Sequence, residues 1–568
     1  MIRLGYTYLS LPEGFHSRNQ PEAWAAPALV VLNTPLCREM ELDPQALTDY
    51  FIRPELREQM PCPFAQAYAG HQFGHFTRLG DGRALVIGEY STPDGQLVDL
   101  QLKGSGRTAY SRGGDGRASL RAMLREYLMS EAMHRLGISS SRSLAVVRTG
   151  GQIRRERWQD AAVLLRVMNS HIRVGTFEYA ANMLTEADLK ALVDYSIHRL
   201  YPEVAGDEHP VLSFFHRVMR RQVDLLAHWM RVGFIHGVMN TDNTSISGET
   251  FDYGPCAFLN AYNPATRYSS IDEHGRYAFG RQPQILHWNL IRWMESLLPL
   301  LHPDPTRALS MAQEAVDAYP ELWRVAYSDM MAQKIGLPPG DAEGEALFGE
   351  LVRMMEGGGW DYTQTFHALT YGAISAGNSE DPVLASPYPS CDPIFVARGS
   401  VIHQQKVNYA RIPEGHRATD GHQVPEGHRA TDGHQVPDGH QVPEGHQVPV
   451  GHQVPVGLWV ACSAEPYSLS DAQRAFAAWH TRWTAAVDRA PGGRARARQR
   501  MLASNPVFIP RNHRVEEALD EAEAGRLDAL HRLLEAVSEP YSYRVEFEEY
   551  GAPPSEAFER AYQTFCGT

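Results

Sequence analysis

An α+β chain with a small β-rich part ahead of a larger helical one is predicted from three observations. Period-two alternation of apolar and polar residues is concentrated between about 61 and 167. Helical periodicity dominates from about 211 onward. Four short segments then follow one another in a definite order: Lys103, Glu126, Asp242-Asn243 and Asp252-Tyr253-Gly254. With 568 residues, 43% of them apolar, the chain can bury a core large enough for two or more domains.

The elements are expected as follows. Residues 1–60, mixed and broken by prolines, read as an irregular N-terminal extension. Residues 61–180 form a β-rich lobe. In it Ala84 to Tyr90 and Gln96 to Lys103 flank the turn Ser91-Thr92-Pro93-Asp94-Gly95, with Asp99, Gln101 and Lys103 on the polar face of the second strand. A helix covers 119–136, where Leu120, Leu124, Tyr127 and Leu128 recur at helical spacing before Gly137. Another strand pair lies between Arg142 and Val167. Residues 181–412 form a helical lobe, with a long helix from about Val211 to Arg231, a polar loop from His236 to Thr244, and helices over 285–302 and 309–370. Residues 413–457 are a tandem repeat of the form Pro-x-Gly-His-Gln-Val with a histidine every six residues; it has little to bury and reads as a disordered insertion. Its spacing invites a metal-binding reading, but nothing in it fixes ligand geometry. Helices resume over 470–489 and 515–537 in a C-terminal region, 458–568.

Composition excludes several classes. The formal charge of −14 counts against broad nucleic-acid binding, which needs a basic face. No run approaches the roughly 18 apolar residues of a membrane span, and the first residues carry no signal core. The six cysteines include no C-x-x-C, so neither a zinc framework nor a secreted disulfide scaffold is indicated. A soluble, monomeric, cytoplasmic protein is expected.

The four segments carry the chemistry. A lysine ending a strand, a glutamate on the next helix, a polar loop after a long helix and an Asp-aromatic-Gly are the parts from which a protein-kinase-like bilobal fold builds its nucleotide site, in that order. Lys103 needs a carboxylate to hold its flexible stem, and Glu126 can supply it. Taken alone, the two read more readily as unrelated surface charges; the downstream segments reverse that. Gly80-Asp81-Gly82-Arg83 and Arg112-Gly113-Gly114-Asp115-Gly116-Arg117 are turns whose backbone N–H groups could approach phosphate; neither is a Walker motif. Arg166 and Arg173 stand in apolar stretches and need an anion or a structural ion pair. Asp242, Asn243 and Asp252 offer the hard oxygens that Mg²⁺ or Mn²⁺ takes. One departure stands out. Where a kinase has His-Arg-Asp, this chain has His236-Gly237-Val238, so either Asp242 is the base or no strong base is used.

Long stretches carry a resemblance. Ala67 to Gly74, Leu79 to Arg83, Leu102 to Gly106, Gly114 to Arg117, Ser170 to Phe177, Gly237 to Asn243 and Asp252 to Pro255 are similar to the selenoprotein O family over most of 1–400 and again near the C-terminus. The resemblance implies a pseudokinase fold that binds ATP in a flipped orientation and transfers AMP to Ser, Thr or Tyr hydroxyls of proteins, redox proteins among them. By position it implies nucleotide contacts at Gly80, Gly82, Arg83, Lys103, Asp115, Gly116, Arg166 and Arg173. Asp242 would be the proton acceptor, Asn243 and Asp252 the metal ligands, and Glu126 the partner of Lys103. Some relatives carry selenocysteine third from the C-terminus, where this chain has Cys566. In some bacterial relatives a C-terminal cysteine pairs with one after the metal-binding aspartate; Tyr268 stands at that place here, which argues against such a switch. Cys256 reads as a buried structural thiol. A conventional kinase and a nucleotide-binding scaffold without turnover are the competing readings.

Overall fold

In the structure, a computed structural model, residues 3–53, 62–155, 157–372 and 469–565 are described. The repeat at 413–457 and Cys566 lie outside them. The fold is α+β. Ten strands come first: β1 (His16–Arg18), β2 (Ala28–Leu32), β3 (Phe64–Gln66), β4 (Ala69–Gln72), β5 (His75–Arg78), β6 (Ala84–Ser91), β7 (Leu97–Lys103), β8 (Ala118–Ser119), β9 (Arg142–Arg154) and β10 (Trp158–Met168). The main sheet runs β1-β3-β6-β7-β10-β9-β2, with β8 on β10, and every pairing is antiparallel. β4 and β5 form a separate hairpin.

Two expectations are corrected here. Residues 1–60 are not simply irregular, because β1 and β2 extend the sheet at opposite ends. The apolar run Leu29-Val30-Val31-Leu32 pairs with β9, too short a signal to stand out between prolines. The reading of Lys103 as a surface charge is not met either. Asp99, Gln101 and Lys103 are all buried, because helices cover that face and ion pairs satisfy the charges.

Helix α1 (Thr34–Glu39) and helix α2 (Pro44–Ile52) precede β3. Helix α3 (Leu120–Arg135) starts at Ser119, whose side chain accepts from Ala122 N. It packs on β9 and β10 and is buried along most of its length, so it presents Glu126 inward rather than to water. After β10 come α4 (Val174–Met183), α5 (Glu186–Leu200) and α6 (Pro210–Val232), the last ended by Gly233 in the left-handed conformation. α7 (Gln282–Leu301) packs against α4 and α6. The stretch expected to be helical over 309–370 is four helices, Pro305–Asp317, Tyr319–Lys334, Ala342–Gly358 and Tyr362–Tyr371, and a helix not foreseen spans Gly493–Ser504. The C-terminal helix Asn512–Glu523 lies on α3, where Arg121 and Arg125 pair with Glu516. Among the described residues no helix is long and apolar enough to cross a membrane.

Candidate active site

Four of the singled-out residues meet in one buried network. Lys103 ends β7 and Arg166 lies on β10, two residues further along in register, so both side chains leave the same face of the sheet. Lys103 Nζ donates to Glu126 Oε2 at 2.6 Å and to Asp252 Oδ1 at 2.5 Å. Arg166 Nη1 donates to the same two carboxylates, at 3.0 Å and 2.7 Å, and its Nη2 donates to Gln101 Oε1. Burial alone would raise the Asp252 carboxyl, but Lys103, Arg166 and Arg173 outweigh it and hold the group well below the usual carboxylate range. Asp252 has φ +60°, a left-handed conformation that few residues other than glycine adopt and that aspartate tolerates better than most. Its side chain keeps 21% exposure, where Arg166 keeps 2%.

Arg173 lies beside this network. Its guanidinium sits over the rings of Tyr68 (4.2 Å) and Phe251 (4.8 Å), and its Nη1 donates to the Asp242 carbonyl at 2.9 Å. Asp81 and Asp252 lie 3.8 Å and 3.7 Å from it. The segment around Arg173 is zipped to the loop after Asp242, with Val174 N donating to Thr244 O and Ile246 N to Ile172 O.

The Asp242 carboxylate is walled in by glycines. Gly70 faces it so closely that a Cβ there would lie 2.9 Å from Asp242 Cβ and Cγ and closer still to Oδ1. A Cβ on Gly175 would run into the Ala69 carbonyl and lie 3.4 Å from Asp242 Cα. Asp242 Oδ1 is buried and has no hydrogen-bond partner. Burial pushes this carboxyl up to about 6 against the opposing pull of Arg173. Asn243 Nδ2 donates to Val238 O at 3.0 Å, and its Oδ1 takes no hydrogen bond from the described residues. The loop is held behind by His236 Nε2 on the Phe251 carbonyl. Gly237 has φ +83°, and a Cβ there would lie 2.5 Å from the Pro255 carbonyl, so the site has no room for the arginine that a kinase carries at that point.

The segment just ahead of the second glycine-rich turn packs on the first. Thr108 Oγ1 donates to Asp81 O, Ser111 Oγ donates to Gly82 O, and Gly80 (φ +113°) lies under the Tyr110 ring. Gly116 (φ +69°) approaches the Gly106 carbonyl so closely that no side chain fits. Arg83 immediately precedes β6, whose Ala84 is opposite Lys103. Asp115 is not part of the buried network. It is partly exposed, and Arg155 grips both its oxygens at 2.8 Å and 3.0 Å.

A family model described as protein adenylyltransferase SelO matches residues 3–538. The chain is 41% identical to the protein nucleotidyltransferase YdiU of Alkaliphilus metalliredigens, over all of this chain and 97% of that one. It is 42% identical to proteins of the same name from Brevibacillus brevis (99% and 97% covered) and Geobacillus kaustophilus (99% and 98%). This chain belongs to the SelO family. It is therefore an enzyme, a nucleotidyltransferase with a nucleotide substrate.

Sequence reasoning about this SelO protein missed several residues of the site. Asp81 was visible only as part of a turn, yet its buried carboxyl accepts from Gln66 N (3.1 Å) and Gln101 Nε2 (3.3 Å), and burial raises it despite Arg173. Tyr68 and Phe251 sandwich Arg173; the first sits in a stretch that carried the resemblance but had no assigned task, and the second lies just ahead of another. Glu178 is buried on α4; it receives Thr241 Oγ1 at 2.5 Å and pairs with His71 Nδ1 at 2.6 Å, which ties the β4–β5 hairpin to the residue before Asp242. Cys256 is fully buried, and burial pushes its thiol up to about 12, which fits an inert structural thiol. Tyr268 is buried as well, with its hydroxyl on Glu559.

The fit around Gly70 gives a direct expectation. Gly70→Ala forces the Asp242 side chain aside. The substitution is expected to lower transfer at least about 100-fold, the order of loss that a 1 Å misplacement of a reacting group brings, with nucleotide affinity kept within about threefold. Single-turnover rates with isothermal binding of the nucleotide would check it.

Proposed function

We propose that this protein transfers AMP from ATP to Ser, Thr or Tyr hydroxyls of other proteins. The frame is read as kinase-like and bilobal, with 61–180 as the β-rich lobe and 181–412 as the helical one. The observation that carries the reading is the convergence of three buried cations, Lys103, Arg166 and Arg173, on one carboxylate, Asp252, next to a second carboxylate whose Oδ1 has no partner. Charge buried at that density suits a polyanion that lies deep in the site. A flipped ATP gives Arg166 and Arg173 the β- and γ-phosphates to hold, with Gly80, Gly82, Arg83, Asp115 and Gly116 as further contacts.

The residues present fit a divalent cation. Asp252 is partly exposed, and Asn243 Oδ1 takes no hydrogen bond from the described residues; both are hard oxygen donors. Among the described residues no group of three or more His, Cys, Asp or Glu is arranged to hold a metal. Two protein donors suit Mg²⁺ or Mn²⁺ completed by phosphate oxygens and water. Asn243 and Asp252 would hold it, and it would neutralise charge on the phosphates. Asp242, raised to about 6, takes the hydroxyl proton as the acceptor oxygen attacks the α-phosphorus. The bond to the bridging oxygen breaks and pyrophosphate leaves. Lys103, kept in place by Glu126, and Arg166 stabilise the charge that develops on it.

The test is label transfer from ATP labelled at the α or the γ phosphorus, with Asp252→Ala as control. Label from α only, lost in the variant, is expected. Label from γ only would make the protein a kinase and refute the proposal. Binding without label from either position would leave a scaffold.

A further inference from the structure

We infer that the rim formed by the β4–β5 hairpin and the segment 267–281 receives the acceptor protein, and that Arg276 selects acceptors with a carboxylate side chain a few residues from the modified hydroxyl. This rests on the adenylyl-transfer reading above.

The hairpin connects the two places. At one end Gly70 touches the Asp242 carboxylate, and four residues on, Gly74 lies against the Arg276 guanidinium, with an ideal Cβ 3.9 Å from Nη2. At about 3.3 Å per residue along a strand, Arg276 is on the order of 10–13 Å from Asp242. An extended acceptor covers that distance in three or four residues. The segment that carries Arg276 is fastened to the same loop, since Tyr277 Oη donates to Asn240 Oδ1 at 2.5 Å and Phe73 N donates to that oxygen at 3.3 Å.

Arg276 is half-buried and has no carboxylate partner among the described residues. Its guanidinium is stacked over Trp288 at 4.9 Å and lies 5.8 Å from the Tyr277 ring. It donates a hydrogen bond to the Tyr277 hydroxyl, its Nε is buried without a hydrogen bond, as is that of Arg292, and no carboxylate of the described residues is within ion-pair distance. Arg292, on the same tryptophan, is neutralised by Glu295 at 2.5 Å. Asp272 is adjacent in sequence, but its carboxylate is occupied by the backbone N–H groups of Arg276 and Tyr277. Arg267 and Arg281 are exposed on the same segment and have no carboxylate partner among the described residues either. The three arginines outnumber Glu273, the exposed carboxylate of the same segment, and a rim of that balance is complementary to an acidic segment. Its apolar counterpart is Phe76, 39% exposed on β5, whose strand pairs only with β4 among the described strands and so presents an open edge.

The experiment uses the full-length protein, α-labelled ATP and peptides that each have one Ser, Thr or Tyr and differ only in a Glu, Gln or Lys three residues to either side. The Glu peptides are expected to exceed the Lys peptides by about tenfold in kcat/KM, mostly through KM, with the gap narrowing at high salt. Arg276→Glu is expected to reverse the preference and Arg276→Gln to remove it, while the KM for ATP and the melting temperature stay as in the parent. Equal labelling of the Glu, Gln and Lys peptides by the parent would overturn the inference and leave the transfer reading intact. A preference that survives in Arg276→Glu would also overturn it. Absence of α-label from every peptide, with no pyrophosphate released, would refute both.

Discussion

Asp242→Asn is expected to abolish transfer and at the same time to stabilise the protein. The loss follows from the role proposed for the carboxylate. Asparagine cannot take the hydroxyl proton, and removal of a positioned general base costs about 10²–10⁴ in rate. The stability gain follows from the environment. Asp242 is buried, its Oδ1 has no partner, and burial outweighs Arg173 to bring the carboxyl from 3.8 up to about 6. The folded protein therefore holds a proton that the unfolded chain releases, in the window between those two values. Stability falls as pH rises through that window, and above it the full cost of the buried charge is present. A shift of about two units corresponds to a ceiling of roughly 3 kcal/mol, so the gain on neutralisation is expected at about 1–3 kcal/mol at pH 8. It should vanish near pH 4, where the parent is itself protonated. Denaturant unfolding of both proteins at the two pH values, with chelator and without nucleotide, is the check. Equal stabilities at pH 8 would mean that the carboxylate is solvated or paired and not poised as a base. A site that loses stability to keep its reactive group charged is the familiar exchange between activity and robustness.

The legible part of this site is the part written in local periodicity. Lys103 ends an alternating strand and Glu126 lies on a helix marked by Leu120, Leu124 and Leu128, so the elements that carry them could be read from neighbours within a few residues. Their pairing at 2.6 Å could be expected only from the order of all four segments, since the two charges taken alone read as unrelated. Asp81 is the contrary case. Its importance lies in what the fold brings to it, Gln101 from the next strand and Arg173 from the start of a later helix, and nothing adjacent in sequence signals either. The same holds for His71, Glu178 and Thr241, three residues from three elements that close one hydrogen-bonded ring. Asp115 shows the limit in the other direction. Grouped with Gly116 by sequence, it is separated from the buried cations in space by its grip on Arg155. β2 was missed because four apolar residues between prolines have no period of their own; pairing with β9 makes them a strand.

Arg166→Met is expected to damage both folding and transfer, and a second substitution separates the two. Arg166 is 2% exposed at its side chain and holds Glu126, Asp252 and Gln101 together. Methionine keeps much of the stem's volume but leaves Glu126 and Asp252 to share Lys103, with Arg173 3.7 Å from Asp252 as the other remaining cation. Removal of one partner from a buried ion network costs about 3–5 kcal/mol, most of it the uncompensated charge that remains. Asp252 should then titrate higher, because one of the cations that hold it down is gone. Asp252→Asn in the Arg166→Met background removes that charge, so the double variant should recover about half or more of the lost stability, a coupling that a double-mutant cycle measures directly. Transfer should not return, since the cation proposed to face the leaving phosphates and the carboxylate proposed to hold the metal are then both absent. Stabilities that simply add would show that Arg166 and Asp252 do not depend on each other in solution. Recovery of transfer in the double variant would refute the roles given to both residues. The expected result, stability restored without activity, would mean that this charge network is retained for the nucleotide rather than for the fold.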